Sequence, residues 1–286
     1  MYRLPETNWK HPIAWKLLNP RCHHPECPTG TRWTGLLHRA SGFWFNEKQW
    51  YCSARCLEKS LEDHLLSCFV EDHRPAPIRT NMPMGLMMLS RGVISDSQLH
   101  NAIELQHGSG ERFGACLHRL GFVSFEEIAS VVATQWGCPV FPAESVQPAC
   151  SMLIPLSLIE RYHMLPVHLV SQGRRLFVGF CAEINHTALI SIEQMLGCKT
   201  EACVIPEPKF SQVLDYRKHS TNSEVAVSRP ENAAETSRMI RSYAQQTGAD
   251  AIRLRTMEGN IWVRFLNHHS HLDLVFEHPP SVKHFF

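Results

Sequence analysis

Four of the eleven cysteines of this chain stand in two pairs that could do chemistry together. Cys22 and Cys27 lie in RCHHPECPTG, and Cys52 and Cys56 lie in WYCSARCLEKSLEDHLL. A thiolate is a soft, charged ligand, and four of them form a closed tetrahedral site for zinc. The intervening segment carries Trp44, Phe45 and Trp50, suited to a short hairpin. Beyond Cys52 the apolar residues Leu57, Leu61 and Leu65 recur with His64 at helical spacing. Two ligands therefore sit on a loop and two at a helix start, where the N-terminal dipole favours thiolate. His23, His24 and His38 could compete as ligands, and four thiols in an ordinary small core would look the same in sequence. A region of about 45 residues this polar struggles to fold without a staple, which favours the metal.

The Cys52–Cys56 pair resembles the YCSxxC element of treble-clef-like fingers of the MYM and TRASH kind, and the Cys22–Cys27 pair departs from that pattern, with C-x4-C in place of C-x2-C. The other seven cysteines show no such pairing. Cys116, Cys138, Cys181 and Cys203 fall in apolar patterns and read as small core residues. Cys68, Cys150 and Cys198 are isolated, and none has a neighbour that marks it as a nucleophile. With no signal-peptide segment in MYRLPETNWKHP, the cysteine content reads as reduced thiols in a cytoplasmic protein. A net charge of +1 implies no polyelectrolyte partner, so nucleic acid is not expected. No apolar run reaches the ~20 residues of a membrane span, so membrane insertion is not expected either.

A second site is written twice. Residues 83–106, PMGLMMLSRGVISDSQLHNAIELQ, align without a gap on 112–135, RFGACLHRLGFVSFEEIASVVATQ, at an offset of 29. Gly85 falls on Gly114, Gly92 on Gly121, Ser95 on Ser124 and Gln106 on Gln135. Each copy predicts a short apolar helix closed by a glycine, Gly92 or Gly121. Ser95 with Gln98, and Ser124 with Glu127, then form the S-x-x-[EQ] pattern of a capping box. Ile94 with Leu99, and Val123 with Ile128, have the spacing of a hydrophobic staple. The second helix of copy one places Leu99, Ala102, Ile103 and Gln106 on one face. Copy two places Ile128, Val131, Val132 and Gln135 likewise. Spacing alone leaves open a plain four-helix packing unit with solvated glutamines.

This repeat resembles the N-terminal domain, of the MshE N-terminal type, of type II secretion and type IV pilus assembly ATPases (GspE- and PilB-like). The family pattern is a tandem RLG-x-x-L-x-x-x-G…L-x-x-x-L-x-x-Q unit. The resemblance continues through QWGCPVF at 135–141 and IPLSLIERYHMLPVHLVSQGRRLFVGF at 154–180. It covers residues 81–217, with helical repeats over 81–137 and an αβ part over 138–217. It implies a bacterial protein that works with secretion or pilus machinery. It also implies a cyclic di-GMP site at Arg112, Gly114, Gly121 and Gln135, with a weaker half at Gly85, Gly92 and Gln106. Copy one departs from the pattern: Pro83 stands where the family has arginine, and Arg79 upstream is the nearest substitute. The family's Asp-Pro is Ala182-Glu183 here. A second consequence is therefore open, a protein–protein adaptor whose nucleotide pocket has degenerated.

The remaining elements frame these two sites. Residues 71–83 are proline-rich and polar and read as a linker. Strands are expected at 165–170 and 175–180 around a turn at Gln172-Gly173, then a helix over 187–196, a strand over 199–205 and a helix over 206–217. Residues 219–232 read as a second linker. The tail, 231–280, predicts a helix over 234–246 and strands at 251–255, 261–265 and 272–276, with a turn at Glu258-Gly259. GADAIRLRTMEGNIWVRF resembles the stretch preceding the motor domain of the same ATPases, with Arg253, Arg255 and His268-His269 replacing family residues. No G-x-x-x-x-G-K-[ST] phosphate loop occurs in the sequence, so no ATP hydrolysis is expected. The fold class is α+β multidomain: a zinc finger over 18–68, the repeat-plus-αβ domain over 81–217, and a small α/β tail over 231–280. The expectation is a non-enzymatic regulatory or adaptor protein, motorless, with zinc and cyclic di-GMP as its ligands.

Overall fold

A computed structural model describes residues 21–27, 42–71, 82–170, 174–181, 183–220, 229–257, 259–267 and 270–277. The segments 72–81 and 221–228 of the two expected linkers lie outside the described residues. So do His38, Arg79, Gln172-Gly173, Ala182, Glu258 and His268-His269.

The described residues begin with the cysteine loop and a short antiparallel hairpin, β1 (Phe43–Phe45) and β2 (Gln49–Tyr51), with Trp44 opposite Trp50. Helix α1 (Ala54–Glu71) follows, and its Leu57, Leu61 and Leu65 are buried at the expected spacing. The repeats then supply α2 (Met84–Ser90) and α3 (Asp96–Ser109) from copy one, and α4 (Phe113–Arg119) and α5 (Phe125–Trp136) from copy two. Both capping boxes are present in full. Ile94, Leu99, Val123 and Ile128 are all buried, so both staples pack. Gly92 and Gly121 close the first helices at φ 68° and 71°, which a residue with a side chain adopts only at a cost. One expected core position differs. Ile103 is 38% exposed, whereas its counterpart Val132 is 3% exposed. Copy two is covered by the sheet that follows it, with Val204 joining its core, and copy one is not.

The αβ part holds α6 (Leu156–Tyr162), β3 (Met164–Val170), β4 (Arg175–Phe180), α7 (His186–Leu196), β5 (Lys199–Val204) and α8 (Glu207–Ser220). Its sheet has the order β3-β4-β5, antiparallel then parallel, and α7 makes the crossover. The tail adds α9 (Ala233–Gln246), β6 (Ala251–Met257), β7 (Asn260–Leu266) and β8 (His271–Glu277).

The finger and the tail, read from sequence as separate units, are joined here. The hairpin adds to the tail strands to give one sheet, β2-β1-β6-β7-β8. Strand β1 runs parallel to β6, with Trp44 opposite Ala251 and Phe45 opposite Ile252. The Asn46 side chain accepts from the Leu254 amide at 2.9 Å and from Arg255 at 2.8 Å. Helix α1 packs on α9, where Arg241 pairs with Glu58 at 2.6 Å. One apolar core runs from Phe43 and Leu57 to Ile240 and Phe276, with the four paired cysteines at its edge. Neither piece could bury these faces alone, which is the physical reason they share a sheet. A second core fills the αβ part and takes in Met257, Trp262 and Val275 of the tail. Among the described residues, no helix is long and apolar enough to cross a membrane.

Candidate functional site

The cysteine site is built by two elements that the hairpin holds together. The loop bearing Cys22 and Cys27 is tied to β2 where the His23 amide donates to the Trp50 carbonyl at 2.9 Å. The Trp50 amide in turn donates to His23 Nδ1 at 3.1 Å, which spends that ring nitrogen on the backbone rather than on an ion. Cys52 precedes α1 and Cys56 stands in its first turn, so the helix start supplies the other two thiols. The four sulfurs lie within 4.8 Å of one another. Cys27 to Cys52 is 3.5 Å and Cys52 to Cys56 is 3.8 Å. Thiolates about 2.3 Å from a tetrahedral zinc lie about 3.8 Å apart, so these separations fit an ion at the centre. Burial pushes the Cys22 thiol up to about 12, against hydrogen bonds from the Cys52 and His24 backbone. Cys56 is raised for the same first reason. Thiols gathered in this way need a cation to become ligands, and a bound metal deprotonates them outright. The four expected cysteines are thus brought together and could hold a metal ion.

The repeat site is a cavity of about 310 Å³ between the repeat helices and the αβ part. Of the seven expected ligand residues, Gln106, Arg112, Gly114 and Gln135 line it. Gly85, Gly92 and Gly121 are not in the lining. Gly85 is buried beneath Leu99 and Phe113, while Gly92 and Gly121 are exposed helix ends. Their conservation of type between the copies follows from packing and backbone conformation.

Arg112 enters the cavity from the cap position of α4. Its Nη1 lies 3.5 Å from Glu207 Oε2, and this atom is buried without a hydrogen bond among the described residues. The Gln135 Nε2 donates to the Met82 carbonyl at 2.8 Å, which ties the end of copy two to the start of copy one. Gly114 lets α4 approach α5, since a Cβ there would lie 3.2 Å from Ile128. His163 stands near the ion pair. Its imidazole is held below its usual range by burial and by Arg112, with Glu207 opposing. Burial pushes the Cys181 thiol up, so the cavity wall there is neutral.

The repeat pattern did not single out the aromatic wall, Phe113, Phe125 and Trp136, nor Glu207 from α8. A signal for the aromatics was present. At an offset of 29, copy one has Met84, Asp96 and His107 at those positions, so the three aromatics are private to copy two. Glu207 carried no local signal, because only the fold brings α8 beside α4.

No protein-family model matches the chain. Two curated relatives are 26% identical over 129 residues: the Bacteriophage adsorption protein B of Escherichia coli (strain K12) and the Bacteriophage N4 adsorption protein B of Escherichia coli O157:H7. The match takes in 44% of this chain and 17% of the length of each relative. Among solved structures, the chain is similar to that of MshE with cdg at 23% identity and TM-score 0.39, over 47% of this chain and 98% of that one. It is also similar to the N-terminal domain of XpsE, at 23% identity and TM-score 0.29, over 45% of this chain and 89% of that one.

Proposed function

We propose that this chain is a non-enzymatic regulatory module that binds cyclic di-GMP in the repeat cavity and carries a structural zinc ion at Cys22, Cys27, Cys52 and Cys56. The observation that carries the ligand reading is the convergence of Arg112, Gln106 and Gln135 on one cavity with an aromatic wall. Aromatic faces stack on bases, and a guanidinium is a planar donor fork for a base edge or a phosphate. The motif resemblance suggests the ligand class, and the lining of the cavity supports that reading. The cavity size suits part of such a ligand, since small-molecule sites run from about 300 Å³ upwards. The all-sulfur donor set at tetrahedral spacing supports zinc as that ion. The same resemblance proposes secretion or pilus machinery as the partner, and a cytoplasmic setting suits a chain of free thiols.

A second reading has its own observation. Pro83 occupies the position equivalent to Arg112 and offers no cation, which favours an adaptor whose nucleotide pocket has lost half its grip. Calorimetry with cyclic di-GMP separates the two. Wild type should bind, and Arg112→Ala should lose about ten- to a hundred-fold in affinity, the loss of one charge-assisted contact. Ser90→Ala, on the exposed side of α2, should bind as wild type does. Wild type giving no binding leaves the adaptor.

A further inference from the structure

The cavity sets a cation beside a carboxylate. Arg112 and Glu207 both line it. Glu207 stands in the first turn of α8. Its ion pair with Arg112 is 39% and 40% exposed on the two sides, so an entering molecule can reach both partners.

A cyclic dinucleotide has charged phosphates and neutral bases. A phosphate would have to compete with Glu207 for Arg112 and would meet Coulomb repulsion from that carboxylate at short range. A base meets no such cost. Arg112 beside Glu207 is a donor fork beside an acceptor pair, and guanine presents the complement. Its O6 and N7 accept from an arginine. Its N1–H and exocyclic amine, on the edge by which extruded bases are read, donate to a carboxylate. O6 and N1–H are neighbours on the ring, so groups 3.5 Å apart can take both at once. Adenine turns an unprotonated N1 toward a carboxylate in the same place, lone pair against lone pair, and leaves the acceptor unsatisfied.

Resting on the reading of this cavity as a cyclic di-GMP site, we propose that Glu207 sets its preference for guanine. It accepts from the N1–H and amine edge while Arg112 donates to O6, and the phosphates stay outside the cavity. Of the motif side chains there, Arg112, Gln106 and Gln135, none offers a charged acceptor, whereas a carboxylate accepts from the N1–H and the amine together.

The test is calorimetry on the full chain with cyclic di-GMP, cyclic di-AMP and the hypoxanthine analogue that lacks the amine. Wild type should bind cyclic di-GMP at least about ten-fold tighter than cyclic di-AMP, with the analogue between them. Glu207→Gln should weaken cyclic di-GMP about ten-fold or more and narrow the gap to cyclic di-AMP. Glu207→Asp, which keeps the charge, should retain the preference, and thermal melting should show both variants folded. Glu207→Gln binding cyclic di-GMP as tightly as wild type, or tighter, overturns the proposal and leaves the receptor reading standing. Equal wild-type affinities for the guanine and adenine ligands also overturn it. Wild type binding no cyclic dinucleotide overturns the receptor reading itself, and this proposal with it.

Discussion

The Phe113 ring covers Gly85, and a Cβ added at that glycine would lie 3.1 Å from the ring and 2.7 Å from Leu99. The repeat makes the same contact in reverse. Met84, the counterpart of Phe113, reaches Gly114, the counterpart of Gly85, where an added Cβ would lie 3.5 Å from it. Each copy thus lays its first helical side chain over the glycine of the other. This reciprocal packing is a pseudo-two-fold relation, and it explains why both copies keep glycine at this position without assigning either to a ligand.

The two glycines should differ in what they tolerate. Gly85→Ala forces buried Leu99 and half-buried Phe113 to move, and overpacking of this kind costs about 1–3 kcal/mol. Gly114→Ala meets Ile128 at 3.2 Å and gains helix propensity of roughly 0.5–1 kcal/mol, so it should be close to neutral. Urea denaturation of both variants checks the order. Equal losses would mean that the two sides are packed alike.

The caps of α3 and α5 should respond differently to acid. Ser124 donates its amide to Glu127 at 2.7 Å, and these bonds hold the Glu127 carboxyl below its usual range. A lowered folded value means stability present above the unfolded value, near 4.3, and lost as pH falls through the folded one. Ser95 makes the equivalent bond, at 2.8 Å, to the uncharged Gln98. Ser95→Ala should therefore cost about 1 kcal/mol at any pH from 7 to 3. The loss from Ser124→Ala should shrink across the acid end of that range. Melting curves at stepped pH read the difference, and parallel losses would remove the charged cap from the account.

Metal loss should spread beyond the cysteine loop. Freshly purified protein should contain one zinc per chain, and Cys52→Ser should lower that content. Because β1 pairs with β6 and α1 packs on α9, the tail should become protease-sensitive together with the finger. The repeat helices have their own core and should stay protected. Removal of zinc by a chelator should act as Cys52→Ser does, since binding free energy at such a site is folding free energy. A tail that resists protease in Cys52→Ser would show that its sheet stands without the metal.

Restoring the missing cation should be structurally cheap. Pro83 and Arg112 both precede their helices in nearly the same backbone conformation, at φ −54° and ψ 139° against φ −68° and ψ 143°. An arginine adopts those angles freely, and Pro83 is exposed. If the cavity binds cyclic di-GMP, Pro83→Arg should tighten it by up to about ten-fold, the contribution of one charged contact. No change in calorimetric affinity would place copy one outside the ligand's reach.

Much of this architecture was legible because it is written in local patterns. Ser95, Ser124, Gly92 and Gly121 specify helix starts and ends by their own backbone chemistry, and the structure keeps all of them. The strands at 251–257, 260–266 and 271–277 follow from alternation and extend the expected ranges by one or two residues. The joined sheet was not legible, because the Trp44–Ala251 pairing is parallel and spans most of the chain. Glu207 was invisible for a similar reason, as its role depends on where α8 lands. The repeated glycines mark a shared constraint, and the structure shows packing at Gly85 and helix closure at Gly92 and Gly121.

The same limit applies to the pair that fastens the tail to the αβ part. Arg264 is 4% exposed and Asp273 12%, and the arginine donates to both carboxylate oxygens at 2.7 Å. Arg264 also donates to the Leu153 carbonyl at 2.7 Å, and the Trp262 indole donates to Asp273 at 3.0 Å. The guanidinium lies 5.2 Å from the Trp262 ring. A buried pair so fully bonded adds little over an apolar substitute, but removing one partner strands the other charge at a cost of about 3–5 kcal/mol. Asp273→Ala should therefore lose about that much in urea denaturation. The double variant Arg264→Met with Asp273→Leu should recover a large part of it, short of the bond to Leu153. Asp273→Ala within about 1 kcal/mol of wild type would mean that water reaches Arg264 and that the junction between tail and αβ part is open.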